Sequence, residues 1–371
     1  MLLKNYMGNQ KNKALYLNKF FLKLAFEQAK KNLGHTKNNP SVGCVLVKNH
    51  SIISSDCTSI GGRPHAEMNA LKFNKDYKDS TMYVTLEPCT HHGLTSPCSD
   101  IIIRKGIKKV FFSFNDKDIR TAKKLKKILS KRKIKSQKIP SKEYQFFYQS
   151  YFDIHKNKIP YMDAKIAVSK DYLTISKKTK WITNQCSRKR THLLRSQYDS
   201  IITTSKTINI DNAMMNCRIN GMNQNKPDLI IIDLKLKLKK NLKLFKINKS
   251  RKIWIITSFK NKEKMYYFKK QGLKFIFIKS LKNKNDFTIL MNIIRKRNYN
   301  RILCESGLSF LNTLLKYKLI YNLYLFKSTK NLGKLGFNRS TKKYLKKLKL
   351  INKIKVNLNG ESLYKIKIKN V

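Results

Sequence analysis

Apolar residues recur at helical spacing in "NKFFLKLAFEQAKKN" (18 to 32), which predicts a helix ended by Gly34. "VGCVLV" (42 to 47) is instead an unbroken apolar run of strand length and reads as a buried strand. The alternation continues, with "HAEMNALKF" (65 to 73) opening as a helix and "TMYVTLE" (81 to 87) as a strand. A short helix from Cys98, the strand "KKVFFSF" (108 to 114) and a helix over roughly 121 to 129 follow. This rhythm predicts a three-layer α/β domain, helices flanking a mixed or parallel sheet. The first 17 residues or so read as an extension, and near "HKNKIPY" (155 to 161) the rhythm breaks. A linker is expected there, between domains 1–157 and 158–371.

The second half resumes the alternation. Helix "QCSRKRTHLLRSQ" (185 to 197) precedes strand "SIITT" (200 to 204), and strands "DLIIID" (228 to 233), "KIWIIT" (252 to 257) and "KFIFI" (274 to 278) follow. "RILCESG" (301 to 307) runs from a strand into a helix start at "LSFLNTLLKY", and a strand-rich tail closes the chain. No strand is followed by G-x-G-x-x-G, so a dinucleotide-binding fingerprint of the Rossmann type is excluded.

Length and composition leave this picture intact. At 371 residues and 41% hydrophobic, the chain has room for two packed cores. Seven scattered cysteines suit a reducing compartment, and the start does not read as a signal peptide, so a cytoplasmic location with no membrane partner is expected. The formal charge of +60 invites a nucleic-acid reading. However, the excess is mainly lysine spread along the whole chain, and the dense runs at 123 to 138 and 234 to 247 alternate lysine with apolar residues. These read as amphipathic elements with solvated faces, and no dedicated nucleic-acid partner is expected.

The chemistry sits in "RPHAEMNAL" (63 to 71) and "EPCTHHGLTSPCSD" (87 to 100). A catalytic zinc takes three protein ligands and leaves a fourth position open. His65, Cys89 and Cys98 offer one imidazole and two thiolates, each expected at or just before a helix start, where the dipole favours thiolate. Glu67 is expected to be no ligand but the group that takes a proton from water and hands it to a leaving amine. Alone, H-x-E is common on surface helices and two cysteines nine apart are weak. In this order, each cysteine after a proline, they match zinc deaminases of nucleobase-like rings.

At these residues the sequence resembles the bifunctional riboflavin-biosynthesis deaminase–reductase family. That family's N-P-x-V-G, H-A-E and E-P-C-S-H-x-G-x-T-P-P-C stand here as "NPSVG" (39 to 43), "HAE" (65 to 67) and "EPCTHHGLTSPC" (87 to 98). The resemblance implies a cytidine-deaminase-like first domain in which Asn39 and His91 touch the substrate. Leu94 stands where a basic residue that helps bind the ribose phosphate is usual, Ser96 replaces a proline, and a histidine is replaced near Thr58.

In the second half, "PYMDAKIAVSKD" (160 to 171), "KWIT" (180 to 183), "HLLRSQYDSIITTSKTINIDNAMMNCR" (192 to 218) and "CESG" (304 to 307) resemble the family's reductase blocks in order. The resemblance implies a dihydrofolate-reductase-like fold and NADPH as hydride source. Lys165, Thr179, Arg195, Met215, Arg218 and Glu305 would touch the substrate; Ala167, Trp181, Thr207, Asp211 and Gly307 would touch the cofactor. The reaction pair implied is zinc-dependent deamination of a phosphoribosylaminopyrimidine, then reduction of its ribose to ribityl, in a homo-oligomer. Turns are altered at Tyr172, Asn212–Ala213 and Thr329, where glycine or proline is usual. Three competitors stay open: a polynucleotide deaminase with a basic accessory domain, a non-catalytic protein that keeps only the fold, and an enzyme whose reductase half has decayed to a structural or dimerisation domain.

Overall fold

A helix and a strand that meet backbone to backbone organise the first part of the chain. In a computed structural model, which describes residues 2–73, 75–157, 159–222, 226–245 and 251–368, the chain falls into two units, Met1–Lys156 and Asn157–Val371.

The first unit runs α1 (Leu2–Lys30), β1 (Gly43–Lys48), β2 (Ser51–Cys57), α2 (Ala66–Ala70), β3 (Thr81–Leu86), α3 (Cys98–Arg104), β4 (Lys109–Phe114), α4 (Leu125–Ser130), β5 (Lys135–Lys138) and α5 (Gln149–Asn157). Its sheet has the order β2-β1-β3-β4-β5. The β2, β1 and β3 strands pair antiparallel, and β3, β4 and β5 pair parallel. Alternate residues go to opposite faces, as the pleat requires. Val45, Val47, Tyr83 and Phe111 pack under α1 with Phe21, Leu22 and Ala25. Cys44, Leu46, Met82, Val84, Val110 and Phe112 pack on the other side with residues of α2, α3 and α4. This two-sided burial is why "VGCVLV" is apolar throughout.

Several elements differ from the expectation. The stretch read as an extension is helical from Leu2. β2 and β5 went unread; both are edge strands, and "KSQK" of β5 is polar throughout. α4 starts at Leu125, after Lys123 takes a left-handed conformation at φ 63°. α2 stops at Ala70. The break near 155 to 161 contains the end of α5 and the start of the next strand.

The second unit runs β6 (Tyr161–Val168), β7 (Ile175–Ser176), α6 (Gln185–Arg195), β8 (Ser200–Thr204), α7 (Ser205–Asp211), β9 (Asp228–Ile232), β10 (Ile253–Thr257), α8 (Lys262–Lys270), β11 (Lys274–Phe277), α9 (Lys284–Arg295), β12 (Arg301–Glu305), α10 (Leu308–Lys316), β13 (Asn322–Lys327), β14 (Gly336–Phe337), α11 (Lys343–Lys347) and β15 (Ser362–Lys367). Its eight-stranded sheet has the order β11-β10-β9-β8-β12-β6-β13-β15, parallel except for β15 against β13. From β8 the chain goes to β9 on one side, and from β12 to β13 on the other. Connections leaving in opposite directions open a crevice at the strands' carboxyl ends, the usual ligand position in such sheets.

The run at 234 to 247 forms neither α-helix nor strand up to Phe245, with only a single 3-10 turn at 243–245. Leu236, Leu238, Leu242 and Leu244 are all buried, so the alternation reports leucines anchoring an irregular segment. Its last two residues, Lys246 and Ile247, lie outside the described residues. The tail expected to be strand-rich carries mainly irregular chain before β15, with residues 369–371 outside the described set.

A Cβ at Gly43 would stand 1.8 Å from the carbonyl oxygen of Ala25 and 2.7 Å from the amide nitrogen of Ala29. Because both are backbone, no side-chain adjustment relieves the clash. Gly43→Ala is therefore expected to destabilise the first unit by about 1–3 kcal/mol or more, read as a lower urea midpoint of the full chain.

Candidate active sites

The first site is assembled where two strands end. Glu87, just past β3, donates its amide to the Phe114 carbonyl at the end of β4 (2.8 Å). Its buried carboxylate accepts from Asn115 Nδ2 (3.0 Å) and from the amides of Asp116 (3.3 Å) and Lys123 (3.2 Å). Sequence reasoning gave Glu87 no role, though its place ahead of Pro88–Cys89 was a signal. It fixes the loop that carries Cys89.

His65 is the N-cap of α2 in extended conformation, and Asn69 ties the approach to it by donating to the Cys57 carbonyl and Ser59 Oγ, both at 2.8 Å. Cys98 is the first residue of α3. The expectation that all three ligands sit at helix starts fails for Cys89, which lies in the loop after β3. The amide of Cys98 donates to Cys89 Sγ at 3.2 Å, so the first turn of α3 serves both sulfurs.

His65 Nδ1 lies 3.6 Å from Cys89 Sγ and 3.5 Å from Cys98 Sγ, and all three atoms are within 4.8 Å of one another. A tetrahedral zinc with bonds of about 2.0–2.1 Å to nitrogen and about 2.3 Å to sulfur separates such atoms by about 3.6 Å. The donor set and its spacing therefore fit zinc. Hydrogen bonds from Cys98 and His65 hold the Cys89 thiol down, to about 4, against its burial. Cys98, donating to Cys89 and buried, is raised. Glu67 is 3% exposed and in hydrogen-bonding reach of the Cys98 thiol; burial raises its carboxyl to about 7.

Asn39 donates from Nδ2 to the Gly62 carbonyl at 2.8 Å, and His91 Nδ1 meets Thr121 Oγ1 at 2.8 Å. Leu94 is exposed, while Thr58 is buried with its hydroxyl on the Val42 amide. Arg63, which sequence reasoning passed over, donates to Thr95 Oγ1 at 2.7 Å.

The second site lies at the carboxyl ends of β6, β8 and β12. Lys165 and Glu305 are partners across the parallel pair β6–β12. Arg195 forks Glu305, Nε to Oε1 at 2.6 Å and Nη2 to Oε2 at 3.0 Å, with side chains only 12% and 6% exposed. Arg195 also reaches the Asn216 carbonyl (3.0 Å) and Met215 Sδ (3.6 Å). Burial alone would raise Glu305, but the Arg195 and Lys165 cations outweigh it and hold it below the usual carboxylate range. Burial lowers the Lys165 amine, opposed by Glu305.

Arg218 donates to Asn216 Oδ1 (2.6 Å) and meets His192 Nε2 (3.1 Å), while His192 Nδ1 is bonded to the Asn216 carbonyl (2.9 Å). Burial, with Arg195 and Arg218 nearby, lowers His192 to about 4, so a neutral ring accepts from Arg218. His192, Asn216 and the buried Arg251, which donates to the carbonyls of Met214, Met215 and Pro227, were not singled out from sequence. They hold the segment that bears Met215 (φ 47°) and Arg218.

Of the remaining expected residues, Ala167, Thr207 and Gly307 lie at or just past the carboxyl ends of β6, β8 and β12. Thr207 Oγ1 accepts from the amide of Gly307, the N-cap of α10, at 3.3 Å, joining the loops after β8 and β12. A Cβ at Gly307 would meet nothing within 4 Å, leaving room for a phosphate over a helix N-terminus. Asp211 ends α7, its carboxyl raised by burial. Ala167 stands two residues beyond Lys165 on the same face of β6. Thr179 and Trp181 are exposed after β7, with Arg188 over the indole at 5.0 Å; no hydrogen bond among the described residues joins them to the Arg195–Glu305 group. At the altered turns Tyr172 (φ 62°) and Asn212 (φ 45°) adopt the left-handed conformation glycine would take more readily. Asp171 still anchors its turn through Ser169 and the amides of Leu332 and Gly333.

Comparison with known proteins matches residues 160–360 to the RibD C-terminal domain and residues 16–114 to the cytidine and deoxycytidylate deaminase zinc-binding region. The riboflavin biosynthesis protein RibD of Actinobacillus pleuropneumoniae is 31% identical over 84% of each chain. That of Aquifex aeolicus is 30% identical over 94% of this chain and 97% of its own. A solved structure from Thermotoga maritima, described as a diaminohydroxyphosphoribosylaminopyrimidine deaminase/5-amino-6-(5-phosphoribosylamino)uracil reductase, is 26% identical with a TM-score of 0.79, covering 96% of this chain and 99% of that one. No helix among the described residues is long and apolar enough to cross a membrane.

Because Glu305 is held below its unfolded value, its pairing stabilises the fold above the unfolded carboxylate range and is lost only as pH falls through the lower folded value. Arg195→Met removes the cation and reverses the shift, leaving a buried carboxylate with a raised pKa. The variant is expected to lose about 3–5 kcal/mol at pH 8. That deficit should shrink towards pH 5 as Glu305 takes up a proton, which urea unfolding at both pH values measures.

Proposed function

The chain belongs to the RibD family, and from that premise we propose that residues 1–157 deaminate a phosphoribosylaminopyrimidine and residues 158–371 reduce the ribosyl group of the product to ribityl. It is a zinc-dependent deaminase and an NADPH-dependent reductase of riboflavin biosynthesis. The substrates are 2,5-diamino-6-(5-phosphoribosylamino)pyrimidin-4(3H)-one and 5-amino-6-(5-phosphoribosylamino)uracil. The observation that carries the deaminase reading is the convergence of His65 Nδ1, Cys89 Sγ and Cys98 Sγ within 4.8 Å, with the buried carboxylate of Glu67 alongside.

In this reading His65, Cys89 and Cys98 hold the zinc, whose chemistry when bound is to acidify water at neutral pH. Glu67 takes the proton that water releases and returns it to the departing amine, a shuttle that its burial favours by keeping the carboxyl's pKa near the working range. Asn39 and His91 contact the substrate, each fixed by a hydrogen bond of its own.

In the second site Ala167, Trp181, Thr207, Asp211 and Gly307 would hold NADPH, which would supply the hydride. The substrate is met by Lys165, Thr179, Arg195, Met215, Arg218 and Glu305. Lys165 and Glu305 face each other across two strands, suited to binding sugar hydroxyls and holding a proton at the reacting end. Arg218, oriented by neutral His192, is suited to a phosphate through charge-assisted bonds. The charge-paired core Arg195–Glu305–Lys165 argues against a decayed reductase half, because a buried triad of this kind is costly to keep without use. The same reading places the enzyme in the cytoplasm as a homo-oligomer, with all seven cysteines free; light scattering of purified protein tests the assembly.

Glu67→Gln is expected to keep one zinc per chain while ammonia release falls by about 10²–10⁴-fold and NADPH consumption on deaminated substrate persists. Loss of zinc, or full turnover by the variant, would contradict the assignment of Glu67. Arg218→Ala should raise the reductase KM about tenfold or more with ammonia release unaltered, as a coupled assay of both products measures.

A further inference from the structure

A ribosyl phosphate brings to the first site close to two negative charges at neutral pH, which chemistry at the ring does not neutralise. The segment between the two cysteines offers little to meet them. Leu94 is uncharged and 88% exposed, and His92 faces Asp100 at 3.9 Å. Arg63 stands two residues before His65, half-buried, and donates from Nη1 to Thr95 Oγ1 at 2.7 Å. Its Nη2 and the Nε2 of His91 each lie 3.8 Å from the point where a Cβ at Gly93 would stand. Guanidinium and imidazole therefore flank a notch left open at Gly93. His91 spends Nδ1 on Thr121, so its Nε2 is the nitrogen turned to the notch. Among the described residues no carboxylate pairs with Arg63, and Thr95 takes one of its donors.

We propose that Arg63, with His91 beside it, binds the phosphate of the phosphoribosyl substrate at the deaminating site. An unpaired guanidinium offers a planar fork matched to phosphate oxygens, and the bond to Thr95 fixes its direction before the ligand arrives. The charge comes from the segment preceding His65, while position 94 in the loop contributes none. This assignment rests on the deaminase reading above.

Ammonia release by full-length wild-type, Arg63→Ala and Arg63→Lys chains tests it, using the diaminopyrimidine ribosyl phosphate and its dephosphorylated counterpart. Arg63→Ala is expected to lower kcat/KM for the phosphorylated compound about tenfold or more, through KM and not kcat. The preference for phosphorylated over dephosphorylated compound should narrow by the same factor. Arg63→Lys should recover part of it, and so should Leu94→Lys placed in the Arg63→Ala chain. Zinc content, one per chain, reports that the deaminating unit of each variant is folded. An unaltered preference in Arg63→Ala, or equal losses on both compounds, would overturn the assignment while leaving the deaminase reading in place. A wild-type chain that releases no ammonia from either compound would overturn that reading, and the assignment with it.

Discussion

Two sulfurs and a ring nitrogen held within 4.8 Å of one another pose a charge problem around which the first unit is built. A thiolate so placed is stabilised by the amide of Cys98 and by the imidazole, yet a second thiolate beside it is not. A divalent cation resolves the conflict, because two thiolates neutralise it and the imidazole completes the set. Everything that positions the three atoms is ordinary backbone chemistry. Glu87 ties the ends of β3 and β4, Asn69 ties the entry to α2, and α3 begins at the second cysteine. The sheet beneath them is held by α1, whose close approach at Gly43 leaves no room for a side chain.

The second unit solves a related problem with protein groups alone. Glu305 would be protonated by its burial if Arg195 did not fork it and Lys165 did not face it. Arg195 and Lys165 thus hold Glu305 ionised at the mouth of a parallel sheet. Around them His192 and Arg251 act at one remove: the first as a neutral acceptor for Arg218, the second by gathering three backbone carbonyls of the segment before it. In both units the reactive groups are held by elements that end at the site, which is where a parallel sheet leaves its backbone dipoles and loops available.

Much of this was legible from sequence, and the limits have physical causes. Strands buried on both faces, such as Gly43–Lys48 and Asp228–Ile232, announce themselves as apolar runs, whereas the edge strands at Ser51–Cys57 and Lys135–Lys138 carry no such pattern. Helices α8 and α9 were passed over although Asn261 and Asn283 cap them, because lysine and asparagine saturate this chain and blunt capping signals. The leucine–lysine alternation near Leu236 reported burial correctly and backbone conformation wrongly. The convergence of His65, Cys89 and Cys98 was readable because metal chemistry fixes residue type. Supporting groups such as Glu87, Asn216 and Arg251 were not, since their roles exist only once distant segments meet.

The most direct measurement is zinc K-edge X-ray absorption on full-length protein purified without chelators or a metal-affinity step. One zinc per chain with two sulfur neighbours at about 2.3 Å and the remaining nitrogen or oxygen neighbours at about 2.0–2.1 Å is the expected result. Protein that carries no zinc, or zinc whose shell lacks sulfur, would contradict the site from which the deaminase chemistry is derived.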